Sequence, residues 1–391
     1  MQLKELQNWL ANIVKIKLMN IEVKEAVSKS DLKTFVQFYT TLYAKSKYAP
    51  IPLHFDELET LSKEKNPAHK NCKAKYWIAY KNGEVVGRIA GIVKNNEVTD
   101  EGTPIGRFGW FDFVDDKEVS KILMETALAW INEFNISLVH GPFGFTDLDR
   151  QGMLIEGFER KGTFAALYNY SYYVEHMESL GFKKRIDWVE YEIDVENLAV
   201  DRVAKIAEYA AKKYEFRMVE VKSRKELKKY IYAVFNMLNK EYAHLYGFTQ
   251  LTEEQIMHYV KMFINLVKLE FVSLVVDKND VLIGFGIAMP SFTDASIKAK
   301  GKLLPFGWYH FLRALKKNEI LDLYLVAVDS EYQKKGVNAL MITHTAKKAK
   351  EFGILRAETN IELENNNSVQ SMWQFFERDQ HKRRRCYIKE F

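Results

Sequence analysis

Cysteine is nearly missing from this chain. The 391 residues hold two, Cys72 and Cys386, too few for a disulfide framework and at no zinc-ligand spacing. The expectation is a reduced, metal-free, cytoplasmic protein. Long hydrophobic runs are also missing: none approaches the ~18 apolar residues of a membrane span. The first twenty residues, MQLKELQNWLANIVKIKLMN, lack the apolar core and small-residue cleavage site of a signal peptide. Charge of one sign is scarce too. A formal net charge of +5 is far below what a nucleic-acid binder concentrates on one face, so no nucleic-acid partner is expected.

What is abundant is apolar and aromatic side chain, 47% and 14% of residues. That composition supports large packed cores and argues against disorder. The length suits two domains. A repeat at half-length supports the same division. Residues 76–93 read YWIAYKNGEVVGRIAGIV and residues 271–289 read FVSLVVDKNDVLIGFGIAM. Lys81, Asn82, Val86 and Gly87 fall on Lys278, Asn279, Ile283 and Gly284 without a gap. Asn82-Gly83 predicts a tight hairpin turn, because both central residues take positive φ there.

The order of elements repeats as well. Helical sequence (31–44, or 225–238 and 253–267) precedes each hairpin. An apolar strand follows (107–114 or 321–328), then a helix (118–134 or 336–352). A further strand comes next (136–140 or 355–360). Each half closes with a helix and a β-like tail, 188–194 or 384–391. This is an α+β pattern around a largely antiparallel sheet. The charged, helical stretch 195–214 carries no strand signal. The division read from the sequence is 1–195, a helical connector 196–214, and 215–391.

The segment with the clearest chemistry is Leu321–Phe352. An apolar strand ends at Val328. A polar turn leads into Gln333-Lys334-Lys335-Gly336-Val337-Asn338-Ala339 and then an amphipathic helix. Backbone N–H groups at a helix start, with the helix dipole behind them, bind phosphate. Gly336 allows close approach and the two lysines add positive charge. The loop is not a Walker A sequence.

Gln333-x-x-Gly336-x-Asn338-Ala339 after a strand resembles the pyrophosphate loop of the GNAT N-acyltransferases, written Q/R-x-x-G-x-G/A. Asn338 stands where that family has Gly or Ala. The resemblance implies a tandem pair of GNAT domains, with acyl-coenzyme A as donor substrate. It places the pyrophosphate on residues 333–339 and the pantetheine arm along Val326-Ala327-Val328. Asn367, in the run before the last helix, resembles a family segment that contacts the coenzyme; a simple helix-capping role reads equally well. The family's tyrosine acid has no counterpart near Trp373 and Phe375. In the first half, Asn169-x-x-Tyr172-x-x-x-His176 with Leu180-Gly181-Phe182 resembles the family's last-helix signature. Its loop at 113–118 has no glycine and several carboxylates, which repel pyrophosphate. The first half is therefore expected to have lost the coenzyme.

His140–Gly157 is rich in glycine and charge directly after an apolar strand. It resembles a loop in double-GNAT bacterial proteins related to bacterial ceramide synthases. Asp147, Asp149 and Arg150 are candidates to orient an amine acceptor, small-molecule or lipid, with solvated turn charges as the alternative. Candidate bases are Asp322 and Glu358 on strands, with His140 and His176 as rivals, and Tyr324 is a candidate acid. Alternation places Asp322, Tyr324 and Val326 on one face. The aromatic group His244, Tyr246 and Phe248 reads as core or as pocket lining. Thr252 and Gln255 predict a capping box. The basic run His381–Arg385 reads as a charged edge strand, with peripheral contact to an acidic membrane left open. Three functions fit: acyl-CoA-dependent N-acyltransfer, Fem-like aminoacyl transfer, and metabolite binding without turnover.

Overall fold

The computed structural model describes residues 21–196 and 200–391. The reading of the first twenty residues as lacking a signal peptide lies outside the described residues. Among the described residues, no helix is long and apolar enough to cross a membrane.

The first half opens with β1 (Ile21–Glu25), α1 (Lys29–Leu42) and α2 (His54–Leu61). Then come the hairpin β2 (Cys72–Lys81) and β3 (Glu84–Lys94), β4 (Gly106–Phe113) and α3 (Lys117–Asn132). It ends with β5 (Leu138–Gly141), β6 (Met153–Glu156), α4 (Tyr172–Ser179) and β7 (Lys183–Asp194). Asn82 and Gly83 take the positive φ values the turn demands.

The second half has α5 (Val200–Tyr214), β8 (Arg217–Met218), α6 (Arg224–Glu241) and α7 (Glu253–Phe263). Next are β9 (Val272–Val276), β10 (Leu282–Pro290), α8 (Thr293–Ala299), α9 (Gly307–Lys316) and β11 (Ile320–Val328). It closes with α10 (Val337–Phe352), β12 (Arg356–Thr359), β13 (Glu362–Leu363), α11 (Asn367–Gln370) and β14 (Arg378–Glu390). The capping box at Thr252 and Gln255 is formed. The last helix, expected after the run that holds Asn367, is instead the short α11, which begins at Asn367 itself, and one 3₁₀ turn.

The strands form one continuous sheet in the order β1-β2-β3-β4-β5-β14-β7-β12-β11-β10-β9-β8. The two tails are exchanged. The last strand of the chain, β14, pairs with β5 of the first half, Tyr387 opposite Gly141 and Glu390 opposite Leu138. The last strand of the first half, β7, pairs with β12 of the second, Arg356 opposite Asp194. β7 and β14 then run antiparallel from Arg378↔Ile193 to Ile388↔Lys183.

The exchange overturns the edge-strand reading of His381–Arg385. β14 lies at the centre of the sheet, and Lys382 and Arg384 are buried. Their charges are matched inside: Lys382 Nζ lies 2.9 Å from Glu190 Oε2, and Arg384 Nε 2.6 Å from Glu190 Oε1. Glu190 is held at about 2, because the two cations outweigh the penalty of its burial. Arg385 pairs with Asp187 at 2.8 Å and Arg383 with Glu364 at 3.2 Å. A basic run looks solvated in the sequence because the anions that neutralise it lie some 20 to 200 positions away.

Candidate functional site

In the second half, β11 and β12 start as a parallel pair, Ile320↔Arg356 to Leu323↔Thr359. Asn360 N–H donates to Leu323 O (2.9 Å), and there the pairing ends. β11 runs on to Val328; Tyr324 O still accepts from Asn360 Nδ2 (3.2 Å), and beyond it the backbone faces a gap. On its other side β11 pairs with β10, with Leu325 opposite Ile287 and Leu323 opposite Ala288. Tyr324 has no partner: it is the extra residue of a bulge, which re-aims side chains.

The bulge corrects the expected alternation. Leu321, Leu323, Tyr324 and Leu325 line a cavity of about 600 Å³, while Asp322 does not. Asp322 is buried with neither carboxylate oxygen hydrogen-bonded. Burial, then the charge of Glu358, pushes its carboxyl well above the ordinary range. Glu358 also lies outside the cavity lining, ion-paired to Lys382 and His381. These two proposed bases thus belong to the charged centre of the sheet. Tyr324 keeps its place in the cavity, its hydroxyl buried and unpartnered. Burial and the neighbouring Asp322 hold that phenol protonated.

The gap leads to the start of α10. Gly336 caps this helix at φ +88° with no side chain closing it. The first N–H engaged in the helix is that of Leu340, to Gly336 O. The N–H groups of Gly336, Val337, Asn338 and Ala339 have no acceptor among the described residues. Free N–H groups at a helix start, with the helix dipole behind them, are a donor set suited to an anion. Gln333 Nε2 donates to Val328 O (3.3 Å), tying the loop to the strand end. Val326, Ala327, Val328, Gln333 and Asn338 all line the cavity, and Asn338 Oδ1 is buried without a partner. Lys334 and Lys335 are exposed beside the loop. On the other flank stands α5: a Cβ at Gly336 would lie 2.6 Å from Ala210 Cβ. Asn367 is exposed, while its neighbours Asn366 and Ser368 line the cavity. Asn366 is the cap of α11, accepting from Val369 N–H (3.3 Å).

Tyr242, on the segment after α6, donates its hydroxyl to Val326 O (2.9 Å) across the gap. Glu362, on β13, lines the cavity. Trp373 Nε1–H donates to its Oε1 (2.7 Å), and its Oε2 has no partner. Burial pushes Glu362 up to about 7. The sequence carried a signal here that alternation and family resemblance both passed over: one carboxylate between two apolar residues, Ile361 and Leu363.

The opposite wall comes from the first half. Asp147, Asp149 and Arg150 all line the cavity. Burial pushes Asp147 up to about 7, and its Oδ1 has no partner. Asp149 Oδ2 accepts from Phe145 N–H (2.7 Å) and Thr146 N–H (3.0 Å), shaping the loop. Arg150 donates to Glu57 (2.8 Å), and Trp110 Nε1–H donates to the other oxygen of Glu57 (2.8 Å). Asp56, beside it, is pushed up to about 6 by burial. Asp56 and Glu57 sit in the first turn of α2 and read in the sequence as ordinary dipole partners. Tyr246, His244 and Phe248 line the cavity. The apolar arm beyond them is walled by Leu227, Ile231, Val234 and Leu238 of α6 and by Tyr259 and Phe263 of α7.

The two histidines stand apart. His140 is buried against Tyr246 OH (2.7 Å) and Glu97 (3.6 Å), and burial keeps its imidazole below the usual range. His176 is clamped between Ser120 Oγ (2.8 Å) and Asp115 (3.0 Å). Neither lines the cavity.

Residues 231–378 match the model of the acetyltransferase (GNAT) family. The chain is 26% identical over 375 residues to Protein YghO of Escherichia coli (strain K12), spanning 94% of this chain and 95% of that protein. It is 24% identical over 322 residues to the bacterial ceramide synthase of Caulobacter vibrioides (strain NA1000 / CB15N), spanning 80% and 82%. Among solved structures it resembles the tandem GNAT protein from the clavulanic acid biosynthesis pathway, with a TM-score of 0.55, 11% identity and coverage of 95% and 98%.

Proposed function

We propose that this chain, whose fold resembles that of a tandem GNAT protein and whose residues 231–378 match the GNAT acetyltransferase family, is an N-acyltransferase that moves an acyl group from acyl-CoA to a lipid amine. The reading rests above all on one observation. A single cavity joins the diverging strands, the open start of α10 and a set of buried carboxylates.

In this reading the pyrophosphate sits on the free N–H groups of residues 336–339, with Lys334 and Lys335 adding charge. The pantetheine lies along Val326–Val328. Glu362 takes a proton from the acceptor ammonium, for which a carboxyl pushed to about 7 is well matched at neutral pH. The freed amine attacks the thioester carbonyl carbon, the C–S bond breaks, Tyr324 is placed to give its proton to the thiolate, and its phenolate regains one from the new amide nitrogen. Asp147 and the Arg150–Glu57 pair orient the amine. The long apolar arm under α6 suits a long acyl or lipid chain better than an acetyl group, and the likeness to a bacterial ceramide synthase points the same way. Two buried free thiols suit the cytoplasm.

The test is calorimetric titration with coenzyme A, acetyl-CoA and palmitoyl-CoA, with Gly336→Asp as the control. The expected result is one site per chain, a preference for palmitoyl-CoA, and loss in the control. Absence of binding by all three would overturn the reading.

A further inference from the structure

The link between β3 and β4 of the first half is eleven residues, 95–105. Its counterpart in the second half, 291–319, carries two helices, α8 and α9. The inner side of this insertion packs down: Phe292, Ala295, Ala299 and Phe311 form one cluster with Leu53, Phe164, Met289 and Tyr324. Leu53, Phe164, Met289 and Tyr324 are themselves cavity lining. His54 N–H donates to Gly301 O (2.9 Å), fixing the insertion to the first half.

Its outer side carries several large apolar side chains exposed to solvent. Leu304 is 76% exposed, Phe306 72%, Tyr309 52%, Leu312 47% and Trp308 46%. Trp308 and Leu312 are one helical turn apart on α9, so they form one ridge, with Leu304 and Phe306 leading into it. The insertion also carries Lys298, Lys300, Lys302, Arg313, Lys316 and Lys317, all exposed, against two acids, Asp294 and Glu319. Asp294 is engaged by Lys161 at 2.6 Å. None of the six cations makes an ion pair among the described residues.

We propose that this insertion docks the protein on an anionic phospholipid bilayer, with the ridge of Leu304, Phe306, Trp308 and Leu312 in the acyl boundary and the lysines among the headgroups. An apolar helix face left exposed and flanked by cations suits a layer of anionic lipid. Trp and Tyr favour the headgroup level, and basic residues flanking an apolar helix face match anionic lipid. The charge sets the choice of partner: six uncompensated cations in the insertion repel a second copy of the same face. Because the inner side of α9 packs on cavity lining, docking would hold the site at the membrane surface, where a lipid substrate is. The docking itself is read without any acyl donor, so it stands or falls apart from the catalytic reading.

The test is flotation of the full chain with vesicles of phosphatidylcholine alone and of phosphatidylcholine with phosphatidylglycerol. Binding is expected to the mixed vesicles and to weaken with salt. Phe306→Ser, Trp308→Ser and Leu312→Ser together should abolish it; these side chains are exposed, so folding is spared. Lys300→Gln, Lys302→Gln and Lys316→Gln together should lower partitioning on the order of a hundredfold, since each cation near an anionic surface is worth roughly a factor of five. Brominated lipid should quench tryptophan emission in the parent, and Trp308→Phe should remove that quenching. Absence of flotation, or quenching that survives Trp308→Phe, would overturn the proposal. A dimer abolished by the ridge substitutions, with no vesicle binding, would also overturn it and assign the ridge to a second copy.

Discussion

The two halves of the chain meet the same gap and treat it differently. In each, a parallel strand pair starts and then diverges: Gly106↔Val139 and Arg107↔His140 in the first, Ile320↔Arg356 onward in the second. In each, the strand beside the gap carries a bulge at an aromatic residue, Trp110 or Tyr324, and both line the one cavity. In the first half the chain fills its own gap. Phe143 N–H donates to Phe108 O (2.8 Å), and Gly109 is pressed so close that a Cβ there would lie 2.2 Å from Phe143 O. The helix start is closed as well, with Asp116 capping α3 through Glu118 N–H. In the second half the gap stays open and the helix start has no side-chain cap. The repeated framework thus keeps its strand geometry while one copy fills with packing the gap that the other leaves open. The packed copy contributes the polar wall of the other's site.

The sharpest test of this asymmetry is at Glu362. Glu362→Gln should lower transfer by about 10²–10⁴-fold with coenzyme binding intact, measured by steady-state kinetics. The parent rate should rise through pH 7 as the base is freed, and the variant should lose that limb. Stability carries the opposite sign. The folded pKa, about 7, exceeds the unbound value of 4.5, so between them the folded state holds a proton the unfolded state lacks. Stability therefore falls as pH rises through 7. Glu362→Gln should melt higher than the parent at pH 8, with the gain shrinking towards pH 5.

Next in size is the loop. Gly336→Asp forces a side chain into φ +88°, against Ala210, and sets a carboxylate at the helix start. Coenzyme binding should weaken by at least about 100-fold. Asp116→Ala, at the matching place in the first half, should leave binding unchanged.

The exchanged strands predict one cooperative unit. Lys382→Ala leaves Glu190 facing Arg384 alone and should cost about 3–5 kcal/mol. A single calorimetric transition should shift; two separate transitions would break the picture of a shared sheet. Phe143→Ala should also cost about 3–5 kcal/mol and still yield one coenzyme site, because its helix start stays capped. The smallest effect is that of Asp116→Ala on stability, about 1 kcal/mol for a lost cap.

Much of this was legible in the sequence. The Asn-Gly turn, the hairpin–strand–helix–strand succession of both halves and the capping box at Thr252 are local patterns, and local patterns survive in one dimension; the two helices between β10 and β11 went unread. Gln333–Ala339 was legible for the same reason: a strand, a glycine and a helix start are contiguous. Glu362, Asp56 and Glu57 were missed because what distinguishes them is burial. Asp322 is parted from Tyr324 by the bulge, and Glu358 is taken up by Lys382 and His381, partners that neither strand's own sequence shows. The charged run at 381–385 was misplaced because an antiparallel strand pairs with any free edge that meets it, and its sequence does not name the edge.

Most strands and helices, their repetition, and the strand–glycine–helix succession at 321–352 follow from the sequence, since each is set by neighbours along the chain. Tertiary structure alone decided which tail completes which half, which of the two gaps stays open, and which carboxylates are stripped of water. Those outcomes depend on contacts between residues far apart in the chain, where packing and desolvation outweigh any local preference.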